Sequence, residues 1–373
     1  MKPTANNVSM TRPKLPECWG HRGASAAFPE NTLASFEKAV ADGAEGIETD
    51  VHVSRDNVII MFHDPDLSRT THSTGKIKER DWYGPNGMQH LKTRKEPAQS
   101  IPTFAETVEF LMQPQNHHVS LNIDVKALND AQHLFTLMNE IITAQPNWET
   151  LLAPRILLGL WHPKFLHYAK TLLPYCRRGH IGFSTWLARE YFWDDCESFS
   201  MKMTVLGTRD GQRFIEDCKK HGKEVMVWTV NTPEEMVEAC RWGVDVILTD
   251  FTKDWLELRE RLRSDYEAHL STHPRSFYYS NFRYWTPTVW SLHYLAKSFL
   301  ERLGGPFDQQ PSHTSTAPGT VQDSKSDAIQ DQDQDQDTQT AISKHIEPII
   351  TQPTLPLPDA VEGRMQQVSG LTA

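Results

Sequence analysis

The sequence has few cysteines, no long apolar run and no excess of basic charge, and each shortage narrows what the chain can be. Its five cysteines, Cys18, Cys176, Cys196, Cys218 and Cys240, are odd in number and none stands at CxxC spacing. That argues against a disulfide framework or a thiolate zinc site and predicts reduced, structural thiols in an intracellular protein. Nowhere does the chain reach the ~18 consecutive apolar residues of a membrane-spanning helix. The opening segment, MKPTANNVSMTRPKLPE, lacks the apolar centre of a secretory signal. A cytoplasmic or membrane-peripheral protein that is not secreted is therefore expected. The formal net charge of −10 argues against nucleic acid as a partner, because nucleic-acid binders carry a basic footprint. It leaves an anionic substrate open, since one divalent cation reverses the local sign of a site.

What is present is 373 residues, 38% of them hydrophobic, with eleven Trp. Residues 1–15 read as a disordered lead-in, and a folded region runs from 16 to 262. In it, short β-rich runs alternate with helical patterns such as NTLASFEKAVADG, TFAETVEFLM, AQHLFTLMNEIITA and PEEMVEACRWG. The predicted strands are Glu17–His21, Gly46–Val53, Val58–His63, Val119–Val125, Arg155–Trp161, Gly179–Phe183, Met203–Gly207, Glu224–Val230 and Val244–Leu248. Such alternation fits a doubly wound sheet or an eight-stranded barrel. Nine candidates for eight places means that one is misplaced or extra, and Met203–Gly207 has the weakest pattern. Only Ser54–Asn57 separates the second run from the third. A parallel crossover needs about a dozen residues, so these two strands should form an antiparallel hairpin. Residues 72–100 read as a loop or small insertion over one mouth of the fold. Residues 263–303 are rich in aromatics (Phe277, Tyr278, Tyr279, Phe282, Tyr284, Trp285, Trp290, Tyr294, Phe299), and TVWSLHYLAKSFLERL has helical spacing. From 304 to 373 Gly, Pro, Ser, Gln and Asp dominate, including QDQDQDQD, a composition that predicts disorder.

The chemistry-bearing residues concentrate at the hairpin. Glu48, Asp50 and His52 alternate along one strand and so share a face. With a turn centred near Arg55–Asp56, position 48 faces 63 and 50 faces 61, which sets His63 opposite Glu48. Burying such groups is costly unless a cation or partner compensates; an exposed, solvated edge is the plainer alternative. Two further segments bear on the choice. Trp19-Gly20-His21-Arg22-Gly23 ends the first strand, where barrel active sites lie, and Arg22 suits bidentate contact with phosphate oxygens. Asn122, Asp124 and Lys126 point one way from an otherwise apolar strand, either toward a site or as a structural Asp124–Lys126 ion pair.

The segment HRGASAAFPENTLASFEKAVADGAEGIETDVHVSRDNVIIMFHDPDLSRTT resembles the signature of the glycerophosphodiester phosphodiesterase family, with its HRG, PENT, E-x-D and HD elements. NIDVK resembles the family's later E-x-K strand and VWTVN its penultimate strand; the likeness spans about residues 17–255. The resemblance implies a metal-dependent phosphoric diester hydrolase on a TIM-type (β/α)8 barrel with one antiparallel hairpin strand. By motif position His21 and His63 become the acid/base pair, and Glu48, Asp50 and Asp124 the ligands of one divalent cation. Asp124 departs from the family, which usually has the longer Glu there. Arg22 and Lys126 would hold the phosphate, with Glu30 near the site. Asn31 and Thr32 have a plainer role at the N-cap of the following helix. An all-oxygen ligand set suits Mg²⁺ or Ca²⁺. Relatives are thought to use the glycerol 2-hydroxyl as internal nucleophile. Trp228 either stacks on glycerol or an alkyl part of the substrate, or packs the core. His52, His72, His117, His118 and His162 match no motif and are expected to be surface or structural.

RILLGLWHPKFLHYAKTLLP is similar to the corresponding run of the fungal phosphatidylglycerol phospholipase C-like branch. That implies cleavage of phosphatidylglycerol to diacylglycerol and glycerol phosphate, with peripheral membrane contact through 277–303, where Trp and Tyr suit the headgroup level. The same stretch can instead pack on the barrel. Two rival expectations remain: a soluble glycerophosphodiesterase acting on deacylated phospholipids, and an inactive lipid-binding barrel.

Overall fold

The computed structural model describes residues 14–275 and 287–307, with 287–294 in backbone alone. Among the described residues there are nine strands: β1 Glu17–His21, β2 Gly46–Val53, β3 Ile59–Met61, β4 Ser120–Val125, β5 Ile156–Leu160, β6 Arg177–Gly182, β7 Ser198–Lys202, β8 Glu224–Trp228 and β9 Val246–Thr249. Eight of them close a parallel ring in the order β1-β2-β4-β5-β6-β7-β8-β9, with β9 returning to β1. The ninth, β3, runs antiparallel to the end of β2 and lies outside the ring. The architecture is a TIM-type barrel.

Alternation along the strands builds two separate cores. One set of side chains, including Ile47, Leu121, Ile123, Leu158, Phe199, Val227 and Ile247, packs under the helices. The opposite set, Trp19, Leu157, Ile181, Met226, Trp228, Val246 and Leu248, fills the barrel interior. Gly46 is needed there, because a Cβ on it would lie 2.3 Å from the Trp19 ring. The helices begin and end on local signals. Thr32 and Thr103 form capping boxes for Leu33–Asp42 and Phe104–Met112. Thr232 caps Pro233–Trp242, which stops at left-handed Gly243. Arg259 locks the ring's seam, donating to the Pro16 carbonyl and to both oxygens of Glu45.

Three sequence expectations need correction. Met203–Gly207 is not a strand: Met203–Leu206 is a helical turn, and the strand is the preceding run Ser198–Lys202. The hairpin register is offset by one residue, with Val51 opposite Met61 and Val53 opposite Ile59. The Ser54 N–H donates to the Val58 carbonyl across a three-residue loop, which Asn57 completes at φ 66°. The third strand therefore stops at Met61, and His63 lies beyond the ladder rather than opposite Glu48. Thr32, not Asn31, is the N-cap.

Residues 72–100 fold as a loop with two short 3-10 turns over a small apolar cluster of Ile60, Phe62, Leu67, Ile77, Trp82, Met88 and Ile101. All five cysteines are buried and unpaired. The aromatic extension forms a helix, Pro287–Gly304; Phe277, Tyr278, Tyr279, Phe282, Tyr284 and Trp285 lie outside the described residues. No helix among the described residues is long and apolar enough to cross a membrane.

Candidate active site

The polar side chains gather at the carboxyl ends of the ring strands, the end where barrel enzymes place their chemistry. Glu48 and Asp50 lie on β2 and Asp124 on β4, with Asp50 and Asp124 register partners. One carboxylate oxygen from each of the three lies within 4.8 Å of the others, and all three residues are buried. That separation is within twice a Ca²⁺–oxygen bond of about 2.4 Å. Burial and the neighbouring Asp50 charge push Glu48 up to about 8. Burial likewise pushes Asp124 up to about 6, although Lys126 opposes it. Asp50, equally desolvated, is held well below the usual carboxylate range by Lys126 and by the charges of His63 and Arg22. Lys126 Nζ bridges Asp50 and Asp124 at 2.6 and 2.7 Å. Asn122, on the same face of β4 and level with Glu48, has both amide atoms buried without a partner; a water on a hydrated cation would satisfy them. A crowded, all-oxygen carboxylate cluster beside an orphaned amide fits a hard divalent cation.

The turn after β1 brings Arg22 to this cluster. Arg22 and Gly23 both have positive φ, 58° and 80°. A side chain at Gly23 would collide with Ser35, and the non-glycine outlier Arg22 marks stored local strain. The bend lets the Arg22 N–H donate to Glu48 Oε2 at 3.0 Å. Its guanidinium donates to Glu30 at 2.9 Å, while buried Nε faces Asp50 at 3.5 Å without a hydrogen bond. That leaves a donor free for an anion's oxygen.

Each imidazole has a carboxylate behind it. His21 Nδ1 meets Asp250 Oδ1 at 2.7 Å, and Asp250 also accepts from Ser25 at 2.8 Å and Asn231 at 2.6 Å. His63 Nδ1 meets Asp64 Oδ1 at 2.6 Å. Asp64 is gripped by Arg69, which donates in turn to both oxygens of Glu30. An Arg22–Glu30–Arg69–Asp64–His63 chain thus lines one side. Burial would raise Glu30, but Arg22 and Arg69 bring it down to about 2. The two environments push the imidazoles apart. Burial pulls at His21, yet Asp250 wins and raises it; burial with the charges of Arg22 and Lys126 takes His63 down to about 4.

Among the motif-based candidates, Glu48, Asp50, Asp124, Arg22 and Lys126 meet directly, Glu30 and the two histidines flank them, and Trp228 stands farther along the wall. Trp228 ends β8 inside the barrel, its indole N–H donating to the Ser200 carbonyl. Several supporting residues were not among the motif-based candidates. Asn31 donates to Asp50 Oδ2 at 2.8 Å and accepts from Thr49, so it braces a carboxylate of the cluster rather than capping a helix. His52 is structural, as expected, and its Nε2 donates to the His63 carbonyl. Asp64 and Arg69 sit in the quoted HDPDLSRTT run, and Asp250 follows the last strand, a position the strand-end rule could have flagged. Trp161, just past β5, donates to Asp124 Oδ1 at 2.7 Å.

The chain is similar to known proteins over the barrel. The model of the "Glycerophosphoryl diester phosphodiesterase family" matches residues 21–254. A glycerophosphodiester phosphodiesterase of Caldanaerobacter subterraneus is 27% identical over 241 residues, covering 62% of this chain and 92% of that protein. Human glycerophosphodiester phosphodiesterase 1 is 33% identical over 110 residues, 28% of this chain and 32% of that protein. An Oleispira antarctica phosphodiesterase, solved in complex with the product sn-glycerol-3-phosphate, superposes with TM-score 0.55 at 25% identity, covering 66% of this chain and 97% of that one. A Parabacteroides distasonis glycerophosphodiester phosphodiesterase superposes with TM-score 0.55 at 22% identity, covering 66% and 98%. With more than half its length matched by the family model, the chain belongs to the glycerophosphoryl diester phosphodiesterase family and is a phosphoric diester hydrolase.

Proposed function

We propose that the chain cleaves glycerol-based phosphodiesters with the help of one divalent cation, Mg²⁺ or Ca²⁺, and that its substrate is phosphatidylglycerol, split to diacylglycerol and glycerol phosphate. The observation that supports the chemistry is the convergence of Glu48, Asp50 and Asp124 between two carboxylate-backed imidazoles. In this reading those three carboxylates hold the cation. When bound, it neutralises a phosphodiester oxygen and stabilises charge developing there. Arg22 and Lys126 take the remaining phosphate oxygens, Glu30 keeps Arg22 aimed, and Trp228 lies against glycerol or an alkyl part of the substrate.

Asp250 and Asp64 occupy the two Nδ1 atoms, so each ring offers Nε2 to the reaction. The glycerol 2-hydroxyl oxygen bonds to phosphorus as its proton passes to one Nε2. The P–O bond to the other alcohol breaks, and that alkoxide takes the proton of the other ring. Water then opens the cyclic phosphate with the proton roles reversed.

The lipid reading is supported by the aromatic side of the mouth, where Trp161 of the GLW run reaches Asp124. Peripheral membrane contact through 277–303 belongs to the same reading. The Oleispira relative, with its sn-glycerol-3-phosphate product, favours a second one, hydrolysis of deacylated glycerophosphodiesters. Purified full-length protein with Mg²⁺ or Ca²⁺ is incubated with phosphatidylglycerol vesicles, and separately with glycerophosphoglycerol. Diacylglycerol release is expected from the vesicles. Turnover of the deacylated compound alone would establish the second reading, and turnover of neither would leave an inactive barrel.

A further inference from the structure

One wall of the site is aromatic, and it runs without a break from a carboxylate of the proposed cation cluster to the C-terminal helix. Trp161 donates its indole N–H to Asp124 Oδ1. Its ring lies 5.7 Å from Phe183 and 6.0 Å from Trp228 between centroids. Phe183 lies 6.3 Å from Phe299 of Pro287–Gly304. All three separations fall in the range of packed aromatic pairs. The helix is seated firmly. Ala296 and Leu300 are buried, as is Phe307 just past its end. Lys297 donates to the Tyr191 hydroxyl at 2.8 Å, and His162 Nε2 donates to the Gly305 carbonyl at 2.9 Å.

The opposite wall is the charged Arg22–Glu30–Arg69–Asp64 chain. A phosphodiester centred on the cluster therefore has one ester arm beside charge and the other beside rings. Trp161 and Phe299 are half-buried. Leu295, one helical turn from Phe299 on the same face, is 59% exposed, and Trp186, edge-on to the helix's partner Tyr191 at 6.1 Å, is 45% exposed. The aromatic wall thus leads outward to exposed apolar side chains rather than closing on itself.

We infer that Trp161 and Phe299, backed by the buried Phe183 ring between them, form the subsite for an apolar leaving alcohol, so that the C-terminal helix is part of the substrate pocket. This rests on the phosphodiesterase reading above and specifies which arm of the substrate the chain selects. Trp161 has a double position: it orients Asp124 and presents its ring to the alcohol.

The test uses glycerol phosphate esters of n-alkyl alcohols from methyl to octyl, below their micelle concentrations, with the full chain and Mg²⁺ or Ca²⁺. The readout is the ratio of kcat/KM for the octyl ester to that for the methyl ester. At roughly threefold per buried methylene, the wild-type ratio should exceed about 100. Phe299→Ala should reduce that ratio at least tenfold, and Phe299→Leu should keep it within about threefold, given the similar apolar area restored. A wild-type ratio near one overturns the inference. So does a Phe299→Ala enzyme in which both esters fall together, because the ring would then only hold the fold. An enzyme that prefers octyl esters yet leaves phosphatidylglycerol intact sinks the phosphatidylglycerol reading and leaves the subsite standing.

Discussion

Asp250 never touches phosphorus in the proposed chemistry, yet its carboxylate fixes the tautomer and direction of His21 and raises its affinity for a proton. Asp250→Asn should lower kcat by about 10²–10⁴-fold, as loss of an orienting carboxylate does elsewhere. The sign of the pH effect follows: with that carboxylate gone, the limb of the rate profile that reports His21 should move to lower pH. A steady-state profile of the variant checks both. Asn31 acts in the same indirect manner on Asp50. Asn31→Ala should raise the cation concentration for half-maximal activity by about 10–100-fold, read from a metal titration of turnover. At this scale the sequence was legible where a motif named residues that the structure brings together, as for His21, Glu48 and Asp50. It was illegible where a residue acts through another, because nothing in PENT says that Asn31 turns at φ 56° toward a strand rather than capping the helix beside it.

Elements that cross the fold carry the buried histidines. Burial takes His180, stacked on Phe192 at 3.9 Å, down to about 4. Burial does the same to His162, under the C-terminal helix. Both folded values lie below the unfolded ~6.5. As pH falls, the unfolded chain takes up these protons first, so the stability contributed by the neutral rings is complete above ~6.5 and lost toward about 4. Glu48 and Asp124, raised in the folded state, act in the opposite sense over the same range, so the test is a difference. Between pH 7 and 5 the urea midpoint should fall less, or rise more, in a variant carrying His162→Gln and His180→Gln than in the wild type; an equal change would contradict the assignment of both rings as buried and neutral. Most strands were legible from runs of apolar residues between turn signals. The seventh was not, since Ser198, Ser200 and Lys202 face the barrel interior and break the apolar run. The β-rich MTVL that follows was drawn into a helical turn by its tertiary setting. The hairpin slipped by one residue because left-handed Asn57 lengthens the loop, a conformation the spacing alone does not reveal.

Across the whole molecule, the ring supplies a rigid frame, its carboxyl ends supply the charged groups, and the C-terminal helix completes the rim. Leu300→Ala should cost about 2–4 kcal/mol by leaving a cavity under that helix, measured by urea unfolding of the full chain. The ring itself followed from the β-then-α alternation and the family resemblance. The partner of the helix did not, because an amphipathic aromatic stretch reads the same whether it meets lipid or the side of a barrel. The proposed function turns on Glu48, Asp50 and Asp124, three buried acidic side chains from two strands that could share one cation. The most direct test is glycerophosphodiester turnover by the full chain after EDTA and then with added Mg²⁺ or Ca²⁺, in parallel with Asp50→Asn. EDTA should abolish turnover, one-site saturation by the cation should restore it, and Asp50→Asn should recover little at the same concentration. Undiminished turnover in EDTA would contradict a shared-cation site.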